Sequence, residues 1–169
     1  MESLLCLACR SPKGLLVCGI CQGHVCKKCV EILQENTFAL MDNIPADLSH
    51  RNYCGNCFDA KVARDLETYS ETVECAKGVF VFLTNKSEQT RLMKRSEKAI
   101  RVTDCTDRND AVLRLGFLAA KSNFNAVVDV VITATKVRNE GYQTSRFSAV
   151  GTPTRVDAEK LDREEAFHR

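Results

Sequence analysis

Four Cys-x-x-Cys pairs in the first third of the chain constrain its fold more than any other feature. The pairs are Cys6/Cys9, Cys18/Cys21, Cys26/Cys29 and Cys54/Cys57. At this spacing a tight turn directs two thiolates at one ion, and two such pairs complete a closed tetrahedral site with four sulfur ligands. The eight cysteines therefore predict two structural zinc ions (Zn2+) per chain.

The short link between the second and third pairs indicates which pairs share an ion. Only four residues, 22–25, separate these pairs, so they would have to fold back sharply to bind the same ion. Alternating ligation is easier, and it staples non-adjacent segments in a small module. This cross-brace arrangement predicts one zinc site at Cys6, Cys9, Cys26 and Cys29, and a second at Cys18, Cys21, Cys54 and Cys57.

Other uses of the paired cysteines fit the sequence less well. Disulfides belong to oxidising compartments, and the N-terminal residues lack the basic and apolar regions of an export signal. A redox Cys-x-x-Cys motif follows a strand in a βαβ unit, a context that four closely spaced copies do not match. We therefore expect a reducing, cytoplasmic location. His24 and His50 are interpreted as non-ligating, because eight thiolates already complete two sites.

Composition and charge bear on the partners. No apolar run approaches the ~20 residues that a membrane-spanning helix needs. Residues 1–69 carry a formal charge of −1, which becomes about −5 when eight thiolates hold two zinc ions, and the remaining residues carry +3. A region of this sign disfavours phosphate backbones and anionic lipids. No nucleic-acid partner is expected, and no basic motif supports membrane contact.

Apolar spacing predicts the elements of the first domain, which we place at residues 1–68. Residues 15–17 are expected to form a short strand and residues 30–41 a short helix. A stripe at helical spacing predicts a helix after the last cysteine, expected to pack on the neighbouring domain. That stripe consists of Phe58, Val62, Leu66, Tyr69 and Val73.

The second domain, placed at residues 73–156, is predicted to have the order β-β-α-β-β. We expect strands from residue 78, at 99–103, 126–137 and 146–153, and a helix from a cap at Thr106 or Asp107 to residues 122–123. In the long strand, Val128, Val130, Ile132 and Ala134 are expected to share one face. A helix is also predicted at residues 87–95, with a solvated basic face of Arg91, Lys94, Arg95 and Lys98. The chain is therefore predicted to be α+β, with a charged tail at 157–169.

Residues 1–68 resemble the FYVE and PHD group of cross-brace zinc fingers. The resemblance rests on the spacing Cys18-x-x-Cys21-x4-Cys26-x-x-Cys29 between the outer pairs, and FYVE is closer because all eight ligands are cysteine. Residues 15–17 replace the basic run of phosphoinositide-binding FYVE domains, and the chain has no Trp. Binding of lipid heads or histone tails is therefore not carried over. Leu15 and Leu16 are interpreted as strand or core residues, with a membrane or partner loop as the alternative.

Residues 76–156 show a weaker similarity to the bacterial YbjQ-like family, which is described as heavy-metal-binding. The segments AVLRLGFLAAKSNFNAVVDVVITATK and FSAVGTPTRV carry it. The resemblance implies a compact α+β subunit that forms homo-oligomers. Cys75 and Cys105 are the soft ligands available in this region, and we interpret both as buried apolar residues.

We expect a non-enzymatic, zinc-binding adaptor whose second domain oligomerises. Four thiolates close each site and leave no coordination position for catalysis, and the sequence contains no catalytic Cys–His pair or phosphate-binding loop outside the cysteine cluster. Two alternatives stay open. One is a peripheral, phosphoinositide-type membrane recruitment module. The other is metal sensing or handling, in which Cys75 or Cys105 would bind additional metal.

Overall fold

A computed structural model describes residues 5–84, 90–91, 93–139 and 141–157. The chain folds as two compact units, Met1–Ser70 and Glu71–Arg169. The predicted α+β class is confirmed, because both helices and strands are well represented. Of the helix predicted at 87–95, residues 87–89 and 92 lie outside the described residues, and Met93, Lys94 and Arg95 are not helical. The charged tail lies almost wholly outside the described residues.

The first unit contains two small hairpins followed by a helical segment. Strand β1 (Leu16–Val17) pairs antiparallel with β2 (His24–Val25), and β3 (Val30–Ile32) pairs antiparallel with β4 (Asn52–Cys54). A 3-10 turn covers Ala46–Leu48. The helical segment begins with one turn at Gly55–Cys57, widens to a π-helical turn at Phe58–Val62 and continues as helix α1 (Ala63–Lys77), whose last seven residues belong to the second unit.

The prediction of a helix over residues 30–41 is wrong. The segment begins with β3, and the N–H of Leu33 still donates to the carbonyl of Arg51 at 2.9 Å. Short turns follow, in which Thr37 donates to the carbonyl of Gln34 at 3.1 Å. A short apolar run does not distinguish helix from strand by its spacing, and here the partner strand β4 decides the outcome.

The stripe after Cys57 is helical as predicted. Four of its five residues, Phe58, Val62, Leu66 and Tyr69, pack inside the first unit, where Tyr69 meets Phe38 edge-to-face with ring centroids 5.0 Å apart. The Tyr69 hydroxyl also accepts a hydrogen bond from the N–H of Leu40 at 3.2 Å. We call the buried part of this core the finger cluster, which consists of Leu33, Phe38, Leu48, Tyr53 and Val62.

The second unit is one four-stranded sheet with a helix on it. Its strands are β5 (Phe80–Leu83), β6 (Ile100–Cys105), β7 (Ala126–Asn139) and β8 (Tyr142–Thr154), and helix α2 covers Arg108–Lys121. The strand order is β5-β7-β8-β6, with β5 parallel to β7 and the other pairs antiparallel. Along the chain, the elements follow the predicted β-β-α-β-β order.

Helix α2 begins at the predicted cap. The Asp107 side chain accepts a hydrogen bond from the N–H of Asp110 at 2.8 Å, and Ser122 caps the C-terminal end. Apolar residues of α2 face the sheet, where Leu115 and Ala119 are fully buried against Val127 and Val130. A second, smaller cluster on the opposite face of the sheet contains Phe80, Phe82, Ala126 and Val128.

A β-bulge in β7 changes the predicted side-chain alternation. The register with β8 shifts between Val128 and Val131, and Asp129 has a left-handed backbone with φ of 54°. The extra residue places Val130 and Ile132 on the helix-covered face and Val128 on the other. The expectation that Val128 shares a face with Val130 is therefore wrong, because strict alternation assumes a regular strand.

Candidate metal centres

The eight paired cysteines form two groups of four. The first metal group contains Cys6, Cys9, Cys26 and Cys29, and the second contains Cys18, Cys21, Cys54 and Cys57. Within each group the four sulfur atoms lie within 4.8 Å of one another. These are the alternating sets expected from the sequence, and each can hold a metal ion.

Both groups have the same pattern of exposure and close sulfur contacts. In each, the first and third cysteines are buried, the second is exposed and the fourth is intermediate. The sulfurs of Cys9 and Cys26 lie 3.7 Å apart, and those of Cys21 and Cys54 lie 3.8 Å apart. The N–H of Cys26 also donates to the Cys6 sulfur at 3.3 Å. We call each of these compact sets of four sulfurs a sulfur cage. The second cysteine of each cage is exposed to solvent.

The first two pairs adopt the same tight turn. Arg10 and Gln22 directly follow the second cysteine of their pair, and both have left-handed backbones with φ of 56° and 59°. Their N–H groups donate to the carbonyls of Cys6 and Cys18, at 2.8 and 3.0 Å respectively. The turn directs both cysteines of a pair to one side, although neither residue is the glycine that this conformation usually favours.

A second repeated contact joins each of these turns to the strand that leads to the third ligand of its group. The N–H of Leu7 donates to the carbonyl of His24, and the N–H of Gly19 donates to that of Asn52, both at 2.9 Å. In each case the donor follows the first cysteine of the group and the acceptor lies two residues before the third. The two metal groups are therefore built on one internal plan, which the dissimilar loop lengths hide in the sequence.

The thiols within a group differ in acidity. Hydrogen bonds from the backbone of Cys9 and Cys26 lower the pKa of the Cys6 thiol to about 6. Burial raises the pKa of Cys18, but backbone hydrogen bonds, from Cys21 first, outweigh it and the pKa is lowered to about 6. By contrast, the Cys26 sulfur raises the pKa of Cys29 to about 12.

The second group repeats this contrast, since the Cys54 sulfur raises the pKa of Cys57 to about 12. Four sulfurs at these distances cannot all be ionised without a cation between them, because adjacent thiolates repel each other. The arrangement thus requires positive charge at its centre before it supplies four thiolate ligands.

Neither candidate histidine belongs to a metal group. His24 lies in β2, and its Nδ1 atom is buried without a hydrogen-bond partner among the described residues. The side chain of His50 lies against Gly19, where an added Cβ would meet His50 Cγ at 2.1 Å. Both histidines lie outside the two groups of four cysteines, and their interpretation as non-ligating is kept.

The remaining two cysteines lie outside both groups. Cys105 is fully buried in the cluster beneath α2, and burial raises the pKa of its thiol. Cys75 is exposed on α1, so the expectation that it is buried is wrong. The described residues show no third group of metal-binding side chains that includes either cysteine.

Leu15 and Leu16 have different environments. Leu16 pairs with Val25 in the first hairpin and packs beside the buried cysteines. Leu15 is 72% exposed and lies outside β1, so the expectation of a strand or core position holds for Leu16 and fails for Leu15. Leu5, Leu7 and Val17 are also exposed in this part of the chain.

One residue of the basic face predicted in the second unit, Arg95, is bound to neighbouring residues. Arg95 forms two hydrogen bonds with the Asp129 carboxylate, one of them between Nη2 and Oδ1 at 3.1 Å, and donates to the Thr90 carbonyl at 3.0 Å. Arg91, Lys94 and Lys98 are exposed. Arg95 therefore fastens its segment to the bulge of β7.

Comparison with protein-family models, curated proteins and solved structures finds no match. Within the residues that the structure describes, none of the helices has the length and apolar character to cross a bilayer.

Proposed function

We propose that the chain is a non-enzymatic, zinc-binding interaction protein. In this proposal two zinc ions fold the first unit, which presents a docking surface, and the second unit self-associates. The resemblances to the FYVE and YbjQ-like families and the cytoplasmic location stay predictions.

The geometry of the two sulfur cages carries the proposal. A tetrahedral ion with Zn–S bonds of ~2.3 Å requires sulfurs about 3.8 Å apart, and one sulfur pair in each group lies near this separation, at 3.7 Å in the first group and 3.8 Å in the second. Four thiolates fill such a site, so the ion would stabilise the fold and would have no open position for a substrate. Zinc is proposed over iron because structural sites of four cysteines in a cross-brace commonly hold zinc, although four tetrahedral sulfurs also suit iron.

The metal proposal is tested by metal analysis combined with native mass spectrometry of the full chain purified without chelators. We expect two zinc ions per chain and loss of one ion in a Cys9→Ser or Cys21→Ser variant. Iron in place of zinc would contradict the choice of metal. More than two ions, with the excess lost in Cys75→Ser or Cys105→Ser, would favour metal handling instead.

A surface around the first metal group supports the interaction role. Four large apolar side chains are exposed there: Leu5 by 55%, Leu7 by 59%, Leu15 by 72% and Val17 by 39%. Strand pairing places Val17 opposite His24, while the N–H of Leu7 bonds to His24 from the other side. Apolar side chains thus flank β2 on both sides, as in the centre of a protein interface.

The charges around this apolar surface indicate an acidic partner. Arg10, Lys13, Lys27 and Lys28 are exposed, and none of the four is part of an ion pair among the described residues. Residues 5–30 contain no Asp or Glu. Counted with the charge of −2 on the zinc ion and four thiolates of the first group alone, these four side chains leave a net charge of +2 beside the apolar residues. We propose that this surface binds a protein segment that combines acidic and apolar side chains.

A peptide-display selection on the zinc-loaded chain tests this surface. We expect enriched peptides to contain Asp or Glu beside apolar residues and to lose binding to Lys13→Glu and Leu15→Ser. Arg64→Glu, on α1, is the matched control and is expected to retain binding. Enrichment of basic peptides, or equal binding to all three variants, would contradict the proposal.

Membrane recruitment is the second candidate, and the exposure of Leu15 favours it. Measuring binding to anionic and to neutral vesicles distinguishes membrane recruitment from binding to a protein partner. Vesicle binding that is lost in Leu15→Ser would favour membrane insertion. Binding that survives substitution of both Leu15 and Leu16 by Ser would exclude insertion of this loop.

A further inference from the structure

The outer edge of β8 near the β7–β8 turn has no strand beside it in the described structure. Strand β6 pairs with β8 only as far as Cys105, whose partner is Phe147. Residues 142–146 continue along β7, from the pair Asn139–Tyr142 to the pair Thr135–Arg146. Their other side therefore presents backbone donors and acceptors that form no ladder among the described strands.

The register identifies which backbone groups face outward. Two residues, 140 and 141, connect Asn139 to Tyr142, and such a two-residue connection closes on a hydrogen-bonded pair. Because hydrogen-bonded and non-hydrogen-bonded pairs alternate in an antiparallel ladder, Thr144 and Arg146 also bond to β7. Gln143 and Ser145 then direct their N–H and C=O groups to the free edge.

We propose that this edge pairs antiparallel with the same edge of a second copy, about a two-fold axis at Thr144. Pairs related by that axis place Gln143 opposite Ser145 of the second copy, so outward-facing groups meet outward-facing groups. Two such pairs form roughly four backbone hydrogen bonds. Thr144 faces Thr144 of the second copy as a non-hydrogen-bonded pair with close side chains.

The side chains at this edge complement one another under the same symmetry. Every second position of β8 lies on the same face of the strand. One face therefore carries the side chains of Tyr142, Thr144 and Arg146. Tyr142 is 79% exposed and would lie opposite Arg146 of the second copy, a pairing suited to a cation–π contact. Arg146 Nε lies 3.5 Å from Asp104 Oδ1 of the same chain. This ion pair holds the guanidinium beside the edge. No like charges oppose each other in this register.

A second copy is a better occupant of this edge than an unrelated strand. The two-fold arrangement satisfies the outward backbone groups and gives each side chain a matching neighbour without requiring an apolar pocket. A contact through residues 142–146 alone buries less surface area than the roughly 1,200–2,000 Å² of stable interfaces. The dimer is therefore expected to be weak. This inference rests on the proposed self-association of the second unit and specifies its surface.

Proline substitution tests the edge in the full, zinc-loaded chain by sedimentation over a wide concentration range. Ser145→Pro removes an outward N–H and leaves the ladder with β7 intact. We expect it to weaken dimerisation at least about tenfold. Lys136→Pro is the matched control, because Lys136 pairs with Ser145 and directs its N–H to the opposite edge of the hairpin. It is expected to leave dimerisation unchanged.

The outcomes separate this inference from the proposed function. A wild-type chain that stays monomeric with two zinc ions bound would overturn the inference and the self-association while leaving the metal proposal intact. An oligomer that persists in Ser145→Pro would keep self-association and overturn this edge. An equal loss in Lys136→Pro would also contradict the assignment to β8.

A cross-link tests the register independently of proline. In a non-hydrogen-bonded pair the Cβ atoms lie about 4.5–5.5 Å apart, close to the separation that a disulfide bridges. Mild oxidation of the zinc-loaded Thr144→Cys variant is expected to join two copies through position 144, as identified by peptide mapping. The Lys136→Cys variant should not cross-link at its new position. A dimer in which position 144 remains unlinked would contradict the proposed axis.

Discussion

Gly116, in the middle of α2, lies where the backbone of another segment approaches closely. Alanine is ordinarily preferred to glycine inside a helix by about 1 kcal/mol. At Gly116, however, a Cβ would lie 2.8 Å from the carbonyl oxygen of Ala76, so the packing would have to shift. We expect Gly116→Ala to lower the free energy of unfolding of the second unit by about 1–3 kcal/mol, measured by chemical denaturation.

Gly55 supplies the control for that substitution. It begins the helical segment of the first unit, and an added Cβ there would meet no atom within 4 Å. Gly55→Ala is expected to leave stability unchanged or to raise it by up to about 1 kcal/mol. If both substitutions destabilise equally, the close approach to Ala76 is not the cause.

Asp110 gives the second unit a pH-dependent contribution at the start of α2. Burial raises the pKa of its carboxyl, but hydrogen bonds from the Thr106 N–H and from Arg114 outweigh burial, and the pKa is lowered. The unfolded chain then binds the proton more tightly than the folded chain. The stabilisation is therefore present above the unfolded pKa of about 3.9 and is lost as the pH falls through the lower folded value.

We expect Asp110→Asn to lower the free energy of unfolding by about 1–2 kcal/mol at neutral pH. The difference from wild type should shrink as the pH falls below about 4, because the wild-type carboxyl is then protonated as well. Urea denaturation at several pH values measures this. Glu97→Gln, which removes one carboxylate at an exposed position, is the matched control. A difference that persists in acid would mean that the loss has a steric origin.

At the scale of elements, the bulge at Asp129 determines which residues of β7 reach the core. Val127 and Val130 are three positions apart, which would place them on opposite faces of a regular strand. The bulge lets both of them face α2. Deleting Asp129 would remove the extra residue and leave Val127 and Val130 two positions apart, so regular pairing with β8 would keep both valines facing α2. We expect the second unit of the deletion variant to fold, with hydrogen-exchange protection retained in α2.

Asp129→Gly is the matched comparison for that deletion. Glycine adopts a positive φ without strain, so the bulge should survive while the hydrogen bonds to Arg95 are lost. Because that pair is partly exposed, the expected cost is no more than about 1 kcal/mol. Loss of protection in the deletion variant but not in Asp129→Gly would show that the bulge itself is required for folding.

The elements show what the sequence could and could not predict. Ligand spacing predicted both cysteine groups, because a four-residue link leaves few ways to place two pairs. The cap at Asp107 and the order of helix and strands along the second unit followed from local patterns. Residues 30–41 and the facing of Val128 could not be predicted, because a partner strand distant in sequence and an extra residue in β7 decide them.

At the scale of the whole chain, the two units differ in what stabilises them. The second unit buries a continuous apolar cluster between α2 and its sheet. The first has the finger cluster of five buried residues beside two sulfur cages. A core of that size rarely supplies more than about 3–5 kcal/mol. Metal binding is therefore expected to provide most of the stability of the first unit, as it does in small metal-dependent domains.

Disruption of one cage should accordingly unfold one unit and spare the other. We expect Cys18→Ser to abolish hydrogen-exchange protection in residues 5–62, including the finger cluster, because Cys18 is fully buried and its group joins both hairpins to the helical segment. Strands β5 to β8 should keep their protection. A strong chelator should have the same effect on the wild-type chain, and added zinc should reverse it. Cys75→Ser changes a cysteine outside both groups and should alter neither unit. Loss of protection in both units together, at the same chelator concentration, would show that the metal groups support the entire chain.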